Sequence, residues 1–269
     1  MPHLCCLLET GYKEEDALEE LKRQGLQNPY SLSDPSTGEV KLYGEMDKLP
    51  FAKELKSIKE ISEIGTPFID WENQWETFSP GYNNGYLYIN LFEQELIDHP
   101  APALKLLPGP GFGDLSHPTT RLMMQMMKGM VQGKTVIDIG CGSGILSIVA
   151  LACGAKKVIG IDIDNDALEH AQSNAELNGL NSIVWTEPED FVFNASESNE
   201  YLFLINMIPS EQTVAWNSLK QLHQLPGHFL VSGILEQNRS KYLQECVDRY
   251  GEYISEIEEE CWSAFHFCK

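Results

Sequence analysis

The chain has 269 residues, 42% of them hydrophobic, enough for one large core or for a core with a small extra domain. It carries 40 Asp and Glu against 19 Lys and Arg, a formal net charge of −21, which repels nucleic-acid phosphates and attracts a basic partner. No apolar run approaches a membrane span, the start Met1-Pro2-His3-Leu4-Cys5-Cys6 lacks the basic and apolar parts of a signal peptide, and seven scattered cysteines without a Cys-x-x-Cys pair read as reduced thiols, so a cytoplasmic protein with no metal and no membrane partner is expected.

Residues 1–65 read as a small α+β unit. His3–Glu9 suits a strand, and Lys13–Gln24 places Ala17, Leu18 and Leu21 on one helical face with Gly25 as its stop. Pro29, Asp34-Pro35 and Thr37-Gly38 mark turns, Val40–Tyr43 is a further strand, and a second helix is expected over Phe51–Ile61. That order predicts an open-faced sandwich. Residues 66–110 read as a linker into a hairpin, with Tyr86–Leu91 and Ala103–Leu107 as its strands. Residues 60–104 contain eight acidic residues, no Lys or Arg, and many aromatics. This is either packing between domains or an acidic, aromatic surface for a positively charged substrate.

From residue 111 to 269 strands alternate with helices. Pro118 opens a helix running to about Met130. Thr135–Ile139 is a buried strand, and Ser143–Cys153 is a helix apolar nearly all round. Lys157–Ile163 is a strand, and Asn165–Asn178 an amphipathic helix stopped by Gly179. Strands at Ser182–Thr186, Tyr201–Ile205 and Phe229–Ser232 and helices at Ser210–Leu222 and Glu236–Tyr250 follow. Tyr253–Glu259 and Trp262–Phe267 form an antiparallel pair at the sheet edge. The fold class is therefore α/β, a doubly wound, mostly parallel sheet with an antiparallel edge, preceded by a small α+β domain. Its ligand belongs beyond the carboxyl ends of the strands.

The chemistry centres on Asp138-x-Gly140-x-Gly142-x-Gly144, which ends a strand and opens a helix. A dinucleotide fingerprint, Gly-x-Gly-x-x-Gly, would need glycine at position 145, which is Ile145; here the third glycine comes one residue early. With Asp138 two residues before the first glycine, the segment resembles the cofactor loop of class I methyltransferases. Asp162, at the end of the next strand, can accept hydrogen bonds from both hydroxyls of a ribose. Asp164 competes for that role, and Asp166 supports the following helix. Asn206, in Leu204-Ile205-Asn206-Met207-Ile208-Pro209, is either a turn residue capping the next helix or an acceptor that aims an amine at a methyl group. The run Leu107 to Arg121, dense in Gly and Pro, has the composition of a loop covering a site. Its His117 either holds the loop or works as an acid–base group.

The sequence resembles the bacterial ribosomal protein L11 methyltransferases, the PrmA family, from about Asp70 onward. The marks are Asp70-Trp71-Glu72-Asn73-Gln74-Trp75 through Pro80, the Pro-Gly-Phe-Gly and His117-Pro118-Thr119-Thr120 loop, Val136–Leu146, Gly160-Ile161-Asp162-Ile163-Asp164, Asn206-Met207-Ile208, and Gly227 through Leu235. The resemblance implies S-adenosyl-L-methionine as cofactor, held through Phe112, Thr119, Asp138, Gly140, Gly142, Gly144, Asp162 and Asn206, with Asn206 aligning the amine. It implies a small N-terminal substrate-recognition domain (1–65), a linker and hairpin (66–110) and a cofactor domain (111–269) in a monomer that methylates lysine and α-amino groups of one basic ribosomal protein. One departure stands out: the family pattern Phe-Gly-Thr-Gly is Phe112-Gly113-Asp114-Leu115 here. Two alternatives stay open, a methyltransferase of the same fold for another protein or small amine, and a non-catalytic relative that keeps the cofactor fold.

Overall fold

In the computed structural model, the described residues are 3–33, 39–46, 55–64, 70–192 and 200–269. They fall into two compact units, Met1–Ile69 and Asp70–Lys269.

The first unit holds β1 (His3–Leu8), α1 (Glu14–Arg23), β2 (Gln27–Ser33), β3 (Val40–Glu45) and β4 (Ile58–Ile64). The strands form one antiparallel sheet in the order β2-β3-β1-β4. Leu4, Cys6, Leu42 and Ile58 from the sheet meet Ala17 and Leu21 of α1 in the core. The helix expected over Phe51–Ile61 is not formed at its C-terminal end, where Ile58–Ile61 belongs to β4; residues 51–54 lie outside the described residues. The pairing of β1 with β4 shifts register between Leu7 and Leu8, with Leu7 opposite Glu60 and Leu8 opposite Ile58. That bulge brings both Ile58 and Ile61 against the same core, a three-residue spacing that imitates a helix. Pro29, expected in a turn, lies inside β2. This strand forms the sheet edge and shifts register between Gln27 and Tyr30, a position where a residue without N–H is tolerated.

The second unit begins with α2 (Trp71–Phe78), which occupies part of the expected linker. Asp70 caps it, its side chain accepting from the Asn73 N–H at 3.0 Å. A three-stranded antiparallel sheet follows, β5 (Tyr82–Asn83), β6 (Tyr86–Ile89) and β7 (Leu104–Leu106), with the hairpin pairing expected between β6 and β7. Trp75, Leu87, Ile89, Leu104 and Leu106 are buried in the same core as the helices that come next.

Those elements are α3 (Pro118–Met127), β8 (Thr135–Ile139), α4 (Ile145–Ala152), β9 (Lys157–Ile161), α5 (Asn165–Leu177), β10 (Val184–Thr186), β11 (Tyr201–Asn206), α6 (Pro209–Ser218), β12 (Gly227–Leu235), α7 (Arg239–Tyr250), β13 (Glu252–Glu259) and β14 (Trp262–Cys268). The seven strands run β10-β9-β8-β11-β12-β14-β13, parallel through β12 and antiparallel at the last two. Strand alternation divides the core. Val136, Leu202, Leu204 and Leu230 face a cluster with Met123, Leu146 and Val149, while Ile137, Phe203, Ile205 and Val231 face one with Tyr242, Cys246 and Tyr250. A sheet covered on both faces explains why the central strands read as near-continuous apolar runs.

Candidate functional site

From β8 the chain steps outward through β9 to β10 on one side and resumes at β11 on the other. The boundary between β8 and β11 is therefore a topological switch point, where sheets of this kind bind ligands beyond the strand ends. Ile139 pairs with Ile205 across it, so Gly140 and Asn206 leave the two strands side by side.

The loop after β8 turns through Gly140, Gly142 and Gly144 with φ of 73°, 53° and 79°, all left-handed. Space as well as conformation requires glycine here. A Cβ on Gly142 would lie 2.2 Å from the Phe112 carbonyl oxygen, and one on Gly144 2.9 Å from Ala171 Cβ. The segment Gly111–Gly113 lies flush on this loop. The Ser143 N–H donates to the Phe112 carbonyl at 2.7 Å, and Ser143 Oγ donates to the Gly113 carbonyl at 2.5 Å. Cys141, between the glycines, is held as a thiol because burial, with the Asp138 and Asp162 charges adding to it, pushes its pKa well up.

The two carboxylates flanking the loop differ in kind. Asp138 is 1% exposed beneath it, and its Oδ2 accepts from Ser147 Oγ at 2.7 Å. Burial raises its pKa to about 7, partly offset by that bond. It ties β8 to α4 from inside and presents nothing outward. Asp162, just past β9, faces the loop: Oδ2 accepts the Gly142 N–H at 2.9 Å and Oδ1 the Asp164 N–H at 3.1 Å. Each oxygen keeps acceptor capacity. Asp164 caps α5, accepting the Asp166 N–H at 3.0 Å. Asn206, across the switch, has its Oδ1 buried without a hydrogen-bond partner.

The covering loop resolves the roles of His117, Thr119 and Asp114. His117 caps α3, accepting the Thr119 N–H at Nδ1, with Thr119 Oγ1 2.8 Å from the same nitrogen. Thr119 is 2% exposed. Burial lowers the pKa of His117, while Asp114 opposes the shift. Its ring sits edge-on between Phe112, at 5.4 Å, and Trp262, at 5.0 Å; Phe112 is 55% exposed. The Asp114 carboxylate turns back on its own loop, where Oδ1 accepts from Ser116 N at 3.1 Å and Ser116 Oγ at 2.6 Å.

Two groups escaped the sequence reading. Arg121 donates to the Leu115 and Ser116 carbonyls at 2.7 and 2.8 Å and to Glu259, fastening the loop to the β13–β14 hairpin. His170, Asn174 and Asn178 bond the backbone from Lys105 to Gly111. Their spacing of four along an amphipathic helix was the available signal. Among the described residues no group of three or more His, Cys, Asp or Glu could hold a metal, and no helix is long and apolar enough to cross a membrane.

The family described as ribosomal protein L11 methyltransferase (PrmA) matches residues 13–269. The ribosomal protein L11 methyltransferase of Citrobacter koseri is 39% identical over 165 residues, 55% of this chain and 56% of that protein, so this match spans little more than half of the relative. That of Pectobacterium atrosepticum is 30% identical over 248 residues, 85% of this chain and 83% of that protein. The crystal structure of ribosomal protein L11 methylase from Lactobacillus delbrueckii subsp. bulgaricus, 27% identical, superposes with a TM-score of 0.53 over 66% of this chain and 96% of that one. With a class I methyltransferase sheet, a glycine loop at its switch point and a family match over nearly its whole length, the chain belongs to the ribosomal protein L11 methyltransferase (PrmA) family.

Proposed function

We propose that this chain transfers methyl groups from S-adenosyl-L-methionine to lysine and α-amino groups of ribosomal protein L11. The observation that carries this reading is the unpartnered, buried Oδ1 of Asn206 beside the glycine loop. A buried acceptor without a donor is costly, about 1–3 kcal/mol, and this one stands at the switch point beside the glycine loop, where a ligand could supply the donor. The residues present also fit the cofactor. Asp162 has acceptor capacity for a pair of ribose hydroxyls, the loop through Gly140, Gly142 and Gly144 allows close backbone approach, and the exposed face of Phe112 offers apolar contact. Asp138 supports this cradle from below and Thr119 through its bond to His117.

When bound, the cofactor supplies a methyl group already activated by a sulfonium. The chain's task is then alignment. Asn206 Oδ1 accepts an N–H of the incoming amine and turns its lone pair toward the methyl carbon. The amine must arrive neutral, and partial burial eases loss of its proton to water. The net charge of −21 favours a basic ribosomal protein as substrate, with the N-terminal unit as its recognition domain. The protein acts as a cytoplasmic monomer without nucleic acid. Incubation with methyl-labelled cofactor and purified L11 tests the reading: label on L11, appearing roughly a hundredfold more slowly with Asn206→Ala, is expected, and cofactor binding without label on L11 refutes the substrate.

A further inference from the structure

We propose that His170 is a positioning residue for the cofactor site, whose neutral imidazole clamps the Leu107–Gly111 backbone so that Gly111–Gly113 lies on the glycine loop, and that acid releases this clamp. The proposal rests on the cofactor reading above. One face of α5 presents His170 and Asn174, and its C-cap Asn178 continues the row, at intervals of one turn. Asn178 exchanges two hydrogen bonds with the Lys105 backbone, at 2.8 and 2.7 Å. Asn174 accepts the Leu107 N–H at 2.7 Å and donates to the Ser143 carbonyl at 3.0 Å, so it touches both the covering loop and the glycine loop. His170 completes the row, with Nε2 2.7 Å from the Leu107 carbonyl and Nδ1 3.2 Å from the Gly111 N–H.

Those partners fix the tautomer. A carbonyl only accepts, so Nε2 carries the proton; an amide N–H only donates, so Nδ1 must be bare. Asn174 Nδ2, 3.1 Å from Nε2, is then a neighbouring donor rather than a partner. The chain runs against the ring: a Cβ on Gly109 would lie 2.6 Å from the imidazole, and one on Gly111 2.5 Å from the Gly142 carbonyl carbon. Between these two contacts the backbone has no slack. The side chains and backbone facing the ring are Trp75 of α2, Leu107, Gly109 and Gly111 of the covering loop, and Asn174 of α5, none of them charged. Protonation of Nδ1 would set N–H against the Gly111 N–H with no carboxylate to compensate. Burial already lowers the His170 pKa, against the opposing pull of the Leu107 carbonyl. As pH falls below the ordinary histidine value, an open loop takes up a proton that the clamped loop refuses, so acid shifts the equilibrium toward open.

Titration calorimetry with S-adenosylhomocysteine, between about pH 8 and about pH 5.5, reads this as a roughly tenfold weakening in the wild type. His170→Gln keeps a donor for Leu107 and cannot titrate; it should bind within about threefold of wild type at the higher pH and show a flattened profile. His170→Ala should bind weakly throughout. Nitrogen-15 spectra should place the proton of His170 on Nε2. A wild-type pH slope in His170→Gln, which would point to His117 instead, or a proton on Nδ1, overturns the proposal. No wild-type binding at any pH would instead overturn the cofactor reading. The clamp is then still judged by hydrogen exchange at the Gly111 amide, whose protection, corrected for intrinsic rate, must fall with acid in wild type and stay level in His170→Gln.

Discussion

Gly142→Ala is the substitution whose cost the structure specifies most closely. Gly142 has φ of 53°, and its added Cβ would meet the Phe112 carbonyl oxygen at 2.2 Å, with Phe112 C and N at 3.0 and 3.1 Å. These are backbone atoms, held in place by Ser143, so no side chain can swing aside. Gly179 is the control, with φ of 69° and nothing within 4 Å of its Cβ position. Gly179→Ala should cost only the left-handed penalty, about 1–2 kcal/mol. Gly142→Ala should cost that plus an overpacking term of about 1–3 kcal/mol, and should lift Phe112 and Gly113 off the site, weakening S-adenosylhomocysteine at least about tenfold. Urea unfolding followed by tryptophan fluorescence is suited to the comparison, because Trp71, Trp75, Trp185, Trp216 and Trp262 all lie in the second unit. Equal destabilisation by the two alanines, or unchanged cofactor affinity in Gly142→Ala, would show that the covering loop does not rest on the glycine loop.

Asp162→Asn should weaken the cofactor by about 10- to 100-fold in calorimetry, since it removes a charged acceptor and confronts the Gly142 or Asp164 N–H with an amide donor. Asn206→Ala should lower the rate of methyl transfer by roughly a hundredfold in single-turnover assays while changing cofactor affinity by less than about tenfold. Asp138, with its pKa raised to about 7 by burial, holds a proton in the folded state that the unfolded chain releases near pH 4. Asp138 should therefore contribute a component of stability that falls as pH rises from about 4 to about 7. Asp138→Asn should remove that component of the slope, measured by urea unfolding across the range.

The legible parts of this chain are those where one physical cause dominates. The mostly apolar runs of β8, β11 and β12 announce strands buried on both faces, and the sheet bears this out. The spacing of Gly140, Gly142 and Gly144 is visible because all three hold left-handed backbone conformations that favour glycine. Asp162 is preferred to Asp164 in the sequence on its strand-end position alone, since both face the same way; in the structure Asp162 bonds the Gly142 N–H of the glycine loop while Asp164 caps α5. The helix expected over Phe51–Ile61 failed at its end because a bulge in β1–β4 spaces Ile58 and Ile61 as a helix would. α2 was hidden for the opposite reason. It buries only Trp75, so it offers no periodic apolar face, and its single cue was the Asp70 cap. The Asp114 departure from the family pattern could not be judged from sequence, because its meaning depends on where the carboxylate turns, and it turns to Ser116.

Whether the orphaned Asn206 Oδ1 marks an amine-methylating site acting on ribosomal protein L11 is read by intact-mass spectrometry. Purified L11 would be incubated with the full chain and S-adenosyl-L-methionine. Stepwise mass increments of successive methyl groups on lysine and α-amino nitrogens are expected, accumulating roughly a hundredfold more slowly with Asn206→Ala. An L11 mass that stays unchanged while calorimetry shows the wild-type chain binding cofactor would contradict that expectation.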